Sequence, residues 1–184
     1  ELTASGIPCF LDYKKNMSEK TFAEYLKAVL KLAESGLHTE GVISYVKNSL
    51  SGWKKEEVFD LENYCLALGI KGYQFEKEWK RKYRSNTEIS LEMLNASRER
   101  LVAELSPLIE AFQKENTTVE DFTRALFYFL KEHGLEKRLK EREEEFLAKG
   151  DRLRVREYAQ VYRVVLDLFD QLVELLGKEK LSPK

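Results

Sequence analysis

Cysteine, proline, glycine and histidine are all scarce in this chain, and each scarcity removes a class of protein. The two cysteines, Cys9 and Cys65, are isolated and far apart. They support neither a secreted disulfide scaffold nor a zinc or iron–sulfur site built on C-x-x-C, and they fit a reduced, cytoplasmic setting. Three prolines and nine glycines are too few for a sandwich or barrel made of many tight turns, which leaves helices. The two histidines, His38 and His133, fall near expected helix ends without any His-Glu-x-x-His context, and read as capping or surface residues. No G-x-x-x-x-G-K-[ST] loop is present to cradle a nucleoside triphosphate. Apolar runs stay below the ~18 residues that a membrane span needs, and Ile7 to Leu11 is too short for a signal-peptide core. Charge of one sign is also missing. With 31 Lys and Arg against 32 Asp and Glu, no global field recruits polyanions, so any nucleic-acid contact has to be a local patch.

What is present is helical periodicity. The 184 residues suffice for one domain that buries roughly two-thirds of its unfolded surface. Residues 6 to 12 read as a short extended segment. Ser18 then offers an N-cap to a helix with Phe22, Tyr25, Leu26, Val29, Leu30 and Ala33 on one face, stopped at Gly36. Thr39 reads as the cap of a second helix closing at Gly52, and Val58, Leu61, Cys65 and Leu68 mark a third before Gly69. A long helix is expected from about Glu88 to Glu115, kinked or split at Pro107, with Arg98 and Arg100 on its surface. Thr118 and Asp121 resemble a capping box, opening a helix that ends at Gly134. A charge-rich helix with a thin Leu135, Leu139 and Phe146 stripe and a last helix from Gly150 to about Leu176 complete the pattern. The expected fold is all-α, one domain of seven or eight helices over 1–184. It divides into an extended lead-in (1–15), a helical body (16–176) and a tail (177–184).

Candidate chemistry is confined to one stretch. Between Lys71 and Arg84 the period weakens, and Lys77, Lys80, Arg81, Lys82 and Arg84 interleave with Trp79 and Tyr83. This segment reads as a short helix or an ordered loop. Cations displace counterions from phosphates and exposed rings stack on bases, so the mixture suits nucleic acid, although Glu76 and Glu78 dilute it. In the competing reading, Phe75, Trp79 and Tyr83 form the buried face of an amphipathic helix whose bases simply meet water. Both can hold together. The run Glu141 to Glu145 fans around its helix among Lys137, Arg138 and Lys140, which is a solvated face and not a metal site. No catalytic residue, cofactor site or metal site emerges.

Four segments carry a resemblance. Gly6-Ile-Pro-Cys-Phe-Leu-Asp12 with Lys14-Lys15, and Leu61-Glu-Asn-Tyr64 running through Gly69-Ile-Lys-Gly72, resemble elements of the AddB family, the B subunits of AddAB-type ATP-dependent helicase/nucleases. Glu92-Met-Leu-Asn95 with Arg98-Glu99, and Ala125 to Leu130, resemble later helices of that family. Cys9 stands where the family pattern has an aromatic, and Ser18-Glu-Lys-Thr21 replaces an expected His-Pro. By analogy with UvrD-like superfamily 1 helicases, the chain resembles the helical accessory subdomain that follows a G-I-P-aromatic element. The resemblance implies a piece of a longer protein, consistent with an opening at Glu1 and a close at Lys184. The parent would unwind and degrade double-stranded DNA ends in recombinational repair, as a heterodimer with an AddA-type subunit. ATP, magnesium and an iron–sulfur cluster would be bound outside this chain, and no membrane is involved. This piece would contact or steer DNA, or else act as a scaffold packing on the partner subunit or motor domains.

Overall fold

The computed structural model describes residues 17–82 and 90–181. Its elements are α1 (Met17–Ser35), α2 (Thr39–Lys47), α3 (Lys55–Leu68), a single 3-10 turn (Gly72–Gln74), α4 (Leu91–Gln113), α5 (Val119–Glu132), α6 (Leu135–Ala148) and α7 (Arg152–Leu176). The count of seven helices agrees with the periodicity, and the described residues contain no strand. The extended segment expected over residues 6 to 12 lies outside the described residues.

α1 is the centre of the packing, touching α2, α4 and α7. Its Tyr25, Val29, Leu32 and Ala33 recur at helical intervals and are fully buried, as an apolar stripe facing neighbours on several sides requires. α3 packs on α2 and α4, whereas α7 packs on α1, α5 and α6. The body therefore has two flanks, with α3 on one and the α6–α7 hairpin on the other. Phe146 of α6 stacks on Tyr158 of α7 at 5.5 Å near the tip of that hairpin.

Helix ends follow local chemistry with instructive exceptions. Thr118 and Asp121 form the expected reciprocal box, Asp121 N donating to Thr118 Oγ1 at 3.1 Å and Thr118 N to Asp121 Oδ2 at 3.3 Å. The Thr118 hydroxyl also donates to Asp121 Oδ2 at 2.8 Å, and this bond, with the one from Thr118 N, favours the ionised carboxylate and holds the Asp121 pKa below its usual range. Gly134 at φ +65° lets α5 turn directly into α6. Ser18 lies inside the first turn of α1 and not ahead of it. Thr39 is not the cap of α2. His38 takes that position, and the Thr39 hydroxyl instead donates to the carbonyl of Ile70, a tertiary partner that outcompetes the local one. α2 also ends at Lys47, well before Gly52. Pro107 neither ends nor divides α4. It leaves the carbonyl of Ala103 without an intrahelical donor, but both residues are exposed and water can serve.

The carboxyl end is tied down. Val119 N and Glu120 N, at the start of α5, donate to the carbonyls of Glu179 and Gly177, and Leu181 N donates to Thr117 O at 2.8 Å. The helix N–H groups left open by geometry are thus satisfied by the tail.

Candidate nucleic-acid interface

The stretch from Lys71 to Lys82 is an ordered loop and not a helix, and its order comes from α3 and α4. The 3-10 turn is closed by Gln74 N donating to Lys71 O and Phe75 N to Gly72 O, with Lys71 N on Gln74 Oε1. A Cβ at Gly72 would sit 3.1 Å from the Leu37 carbonyl, so this turn lies tight against the α1–α2 link. Phe75 and Trp79 then go inward. Trp79 stacks on Tyr64 at 4.6 Å and meets Phe75 edge-on at 5.8 Å, while its indole N–H donates to Gln74 O.

Two polar residues of α4 hold the backbone here. Asn95 pairs with Trp79 as a neighbouring strand would, its Oδ1 accepting from Trp79 N at 2.8 Å and its Nδ2 donating to Trp79 O at 2.9 Å. Arg98, expected on the surface, is buried. Its Nη1 donates to Phe75 O at 3.0 Å and its Nε to Asn95 Oδ1 at 3.1 Å, while Glu99 pairs with Nη2 at 2.8 Å. The Phe75 carbonyl thus accepts a charge-assisted bond inside the protein, and that bond with the ones to Asn95 and Glu99 offsets the cost of burying the guanidinium. Arg100 is half-buried, lying over the Trp53 ring at 4.2 Å and bonding Glu104 and Glu57. From α3, the Tyr64 hydroxyl donates to Arg81 O at 2.9 Å. Burial raises the pKa of that phenol, keeping it a donor.

Against this frame the basic side chains turn outward. Lys71, Lys77, Lys80, Arg81 and Lys82 are all exposed, opposed by exposed Glu76 and Glu78 only, so the loop carries a net charge of +3. Lys80 pairs with Glu78 at 3.6 Å, a loose surface contact of little energy. Lys77, Lys80 and Arg81 edge a groove of about 270 Å3 floored by Tyr64, Trp79 and Ile70. Of the residues read from the sequence as candidates, the loop brings together Lys77, Trp79, Lys80, Arg81 and Lys82, and Tyr83 and Arg84 lie outside the described residues. Trp79 is only 5% exposed and offers no free stacking face, because the ring is spent on the core. Tyr73, missed in the sequence, is the exposed aromatic at 65%, with Lys77 Nζ lying 5.0 Å from its ring centroid. Its position next to the second glycine of Gly69-Ile-Lys-Gly72 was the available hint. Cys65 lies under this surface with its thiol pushed up to about 12 by burial, unsuited to nucleophilic chemistry. Among the described residues no three His, Cys, Asp or Glu side chains gather to hold a metal ion, and no helix is long and apolar enough to cross a membrane.

Comparison with known proteins adds a family to this geometry. Over its whole length the chain is 38% identical to the B subunit of the ATP-dependent helicase/deoxyribonuclease of Lachnoclostridium phytofermentans. The chain is homologous to one segment of that B subunit. The same-named proteins of Caldanaerobacter subterraneus and Clostridium botulinum (strain Hall) are 32% and 31% identical over 96% and 97% of the chain. The chain spans 16% of the length of each of these relatives. No family model matches it. In this B-subunit-like segment the Leu61-Glu-Asn-Tyr64 element supplies the Tyr64 that grips Arg81, and Gly69 to Gly72 supplies the turn presenting Tyr73. Asn95 and Arg98, from the third resembling element, are the α4 residues that hold the loop.

Proposed function

We propose that this chain is a non-catalytic helical subdomain of a helicase/deoxyribonuclease B subunit, and that it holds or steers DNA through the cationic loop that begins at Lys71. In the whole protein, ATP-driven unwinding and degradation of double-stranded DNA ends for recombinational repair would be carried out elsewhere. Its ATP, magnesium and iron–sulfur cluster would be bound outside this chain, with an AddA-type subunit as heterodimer partner. The relatives' name supports the parent role. The observation that carries the DNA contact is the cationic rim of Lys77, Lys80, Arg81 and Lys82 on a loop locked to the core by Asn95, Arg98 and Tyr64. A fixed rim loses little freedom on binding phosphates.

Fluorescence anisotropy with single-stranded, duplex and forked DNA tests this reading. Four phosphate contacts on a single strand predict binding about 50-fold weaker at ~200 than at ~50 mM salt. Reversing Lys80, Arg81, Lys82 and Arg84 to Glu should weaken binding and flatten that dependence. No binding at the lower salt would sink the proposal. It would favour the scaffold reading, in which the chain packs on the partner subunit or motor domains. A specific observation supports that alternative: Leu153, Val164, Leu168 and Leu175 are exposed on one side of α7, an apolar ridge broken by Glu157, Gln160 and Gln171.

A further inference from the structure

We propose that Tyr73 and the groove beside it form a seat for one unpaired nucleobase, so that the loop discriminates single-stranded or frayed nucleic acid from intact duplex. This rests on the DNA reading above and adds the class of ligand.

Three independent features converge on Tyr73. Its backbone belongs to the rigid 3-10 turn, closed by the Lys71, Gln74 and Phe75 hydrogen bonds and pressed against Leu37 through Gly72. Its ring nevertheless stands 65% exposed, while Phe75 and Trp79 on the same loop are buried. A rigid, solvent-facing ring is the element that base stacking uses, since every base has a π-face and little side-chain entropy is lost. The ring also borders the groove of about 270 Å3, which has an aromatic and aliphatic floor and cations on its rim. Lys77 Nζ lies over one face of this ring, 5.0 Å from its centroid; a base stacking on that face would displace the exposed, flexible lysine toward the nucleotide's phosphate. In a duplex both faces of each base are already stacked and its edges paired, so only the rim would engage it.

The whole 184-residue chain is titrated with fluorescein-labelled dT20 and with a blunt duplex of the same length. Tyr73→Ala should weaken dT20 binding about 5- to 150-fold and leave duplex binding within twofold, while Tyr73→Phe retains both. Because Tyr73 is exposed, the Ala variant keeps its fold, which an unchanged thermal unfolding midpoint verifies. If Tyr73→Ala binds dT20 as well as the parent chain while charge reversal still weakens it, the seat is refuted and the DNA reading survives. If neither DNA binds, both fail. Equal competition by poly-glutamate would mean attraction to any polyanion, and would also overturn the seat.

Discussion

Replacing Asn95 by Ala removes the side chain that joins α4 to the loop, and its cost follows from the bonds it makes. Asn95 accepts from Trp79 N at 2.8 Å and from Arg98 Nε at 3.1 Å, and donates to Trp79 O at 2.9 Å and to Leu91 O at 3.1 Å. The Leu91 carbonyl is already a helix acceptor, so its loss matters little. The Trp79 N–H and C=O belong to a buried residue, and each left without a partner costs about 1–3 kcal/mol. Asn95 itself is only half-buried, so water can reach part of the vacated space. The expected loss is therefore about 2–4 kcal/mol. In urea this moves the unfolding midpoint down by roughly 1–2 M at a slope of about 2 kcal/mol/M. Asn95→Asp keeps both accepting contacts but puts an oxygen where Nδ2 donated to Trp79 O and Leu91 O, so two donor contacts become repulsions and the variant should fall between Ala and the parent. The loop should also lose its fixed presentation, and DNA binding should weaken although Asn95 touches no DNA in the proposed arrangement. A midpoint shift below about 0.3 M (some 0.5 kcal/mol) would refute the assignment of Asn95 as the main tie. Undiminished DNA binding in a clearly destabilised Asn95→Ala protein would refute the need for a fixed loop.

Two further predictions follow from titrating groups. Thr118→Val should remove the reciprocal cap of α5, costing about 1 kcal/mol, and let the Asp121 pKa rise toward its usual value, as NMR titration would record. Since the folded pKa of Asp121 is the lower one, its contribution is complete above the unfolded value and fades as pH falls through the folded one. The variant should accordingly lose less stability than the parent on acidification below about pH 4. In a Cys9→Ser background, Cys65 should resist a thiol reagent at pH 8 in the native state and react at once in denaturant, because burial holds its pKa near 12. Rapid native labelling would mean that α3 opens locally.

Most of the helical frame was legible in the chain because it rests on local patterns. Phe22, Tyr25, Val29 and Ala33 recur on one buried face, although Leu30, expected with them, is exposed, and Thr118 meets Asp121 within one turn. What was not legible is decided by contacts distant in sequence. Thr39 looks like a cap until the Ile70 carbonyl arrives from the far end of α3. Arg98 looks like a surface cation until the carbonyl of Phe75 requires a donor inside. The loop itself was open to two readings. The i, i+4 spacing of Phe75 and Trp79 matches a helix face, yet these rings reach the core from a turn held by Asn95 and Tyr64. Basic and aromatic character located the region, but which ring stays in water is a tertiary outcome: Trp79 goes in and Tyr73 stays out. The resemblance to B subunits located Leu61-Glu-Asn-Tyr64, and the fold gives its tyrosine a task.

The position of α3 and α7 on separate flanks has an evolutionary corollary. α3 leans on α2 and α4, and α7 on α1, α5 and α6, so among the described residues no helix packs extensively on both. Substitutions in the cationic loop and on the α7 ridge should therefore combine additively, each lineage being free to retune one surface without compensating changes in the other. A chain built this way can exchange its binding preferences and its docking preferences independently, through separate mutational histories.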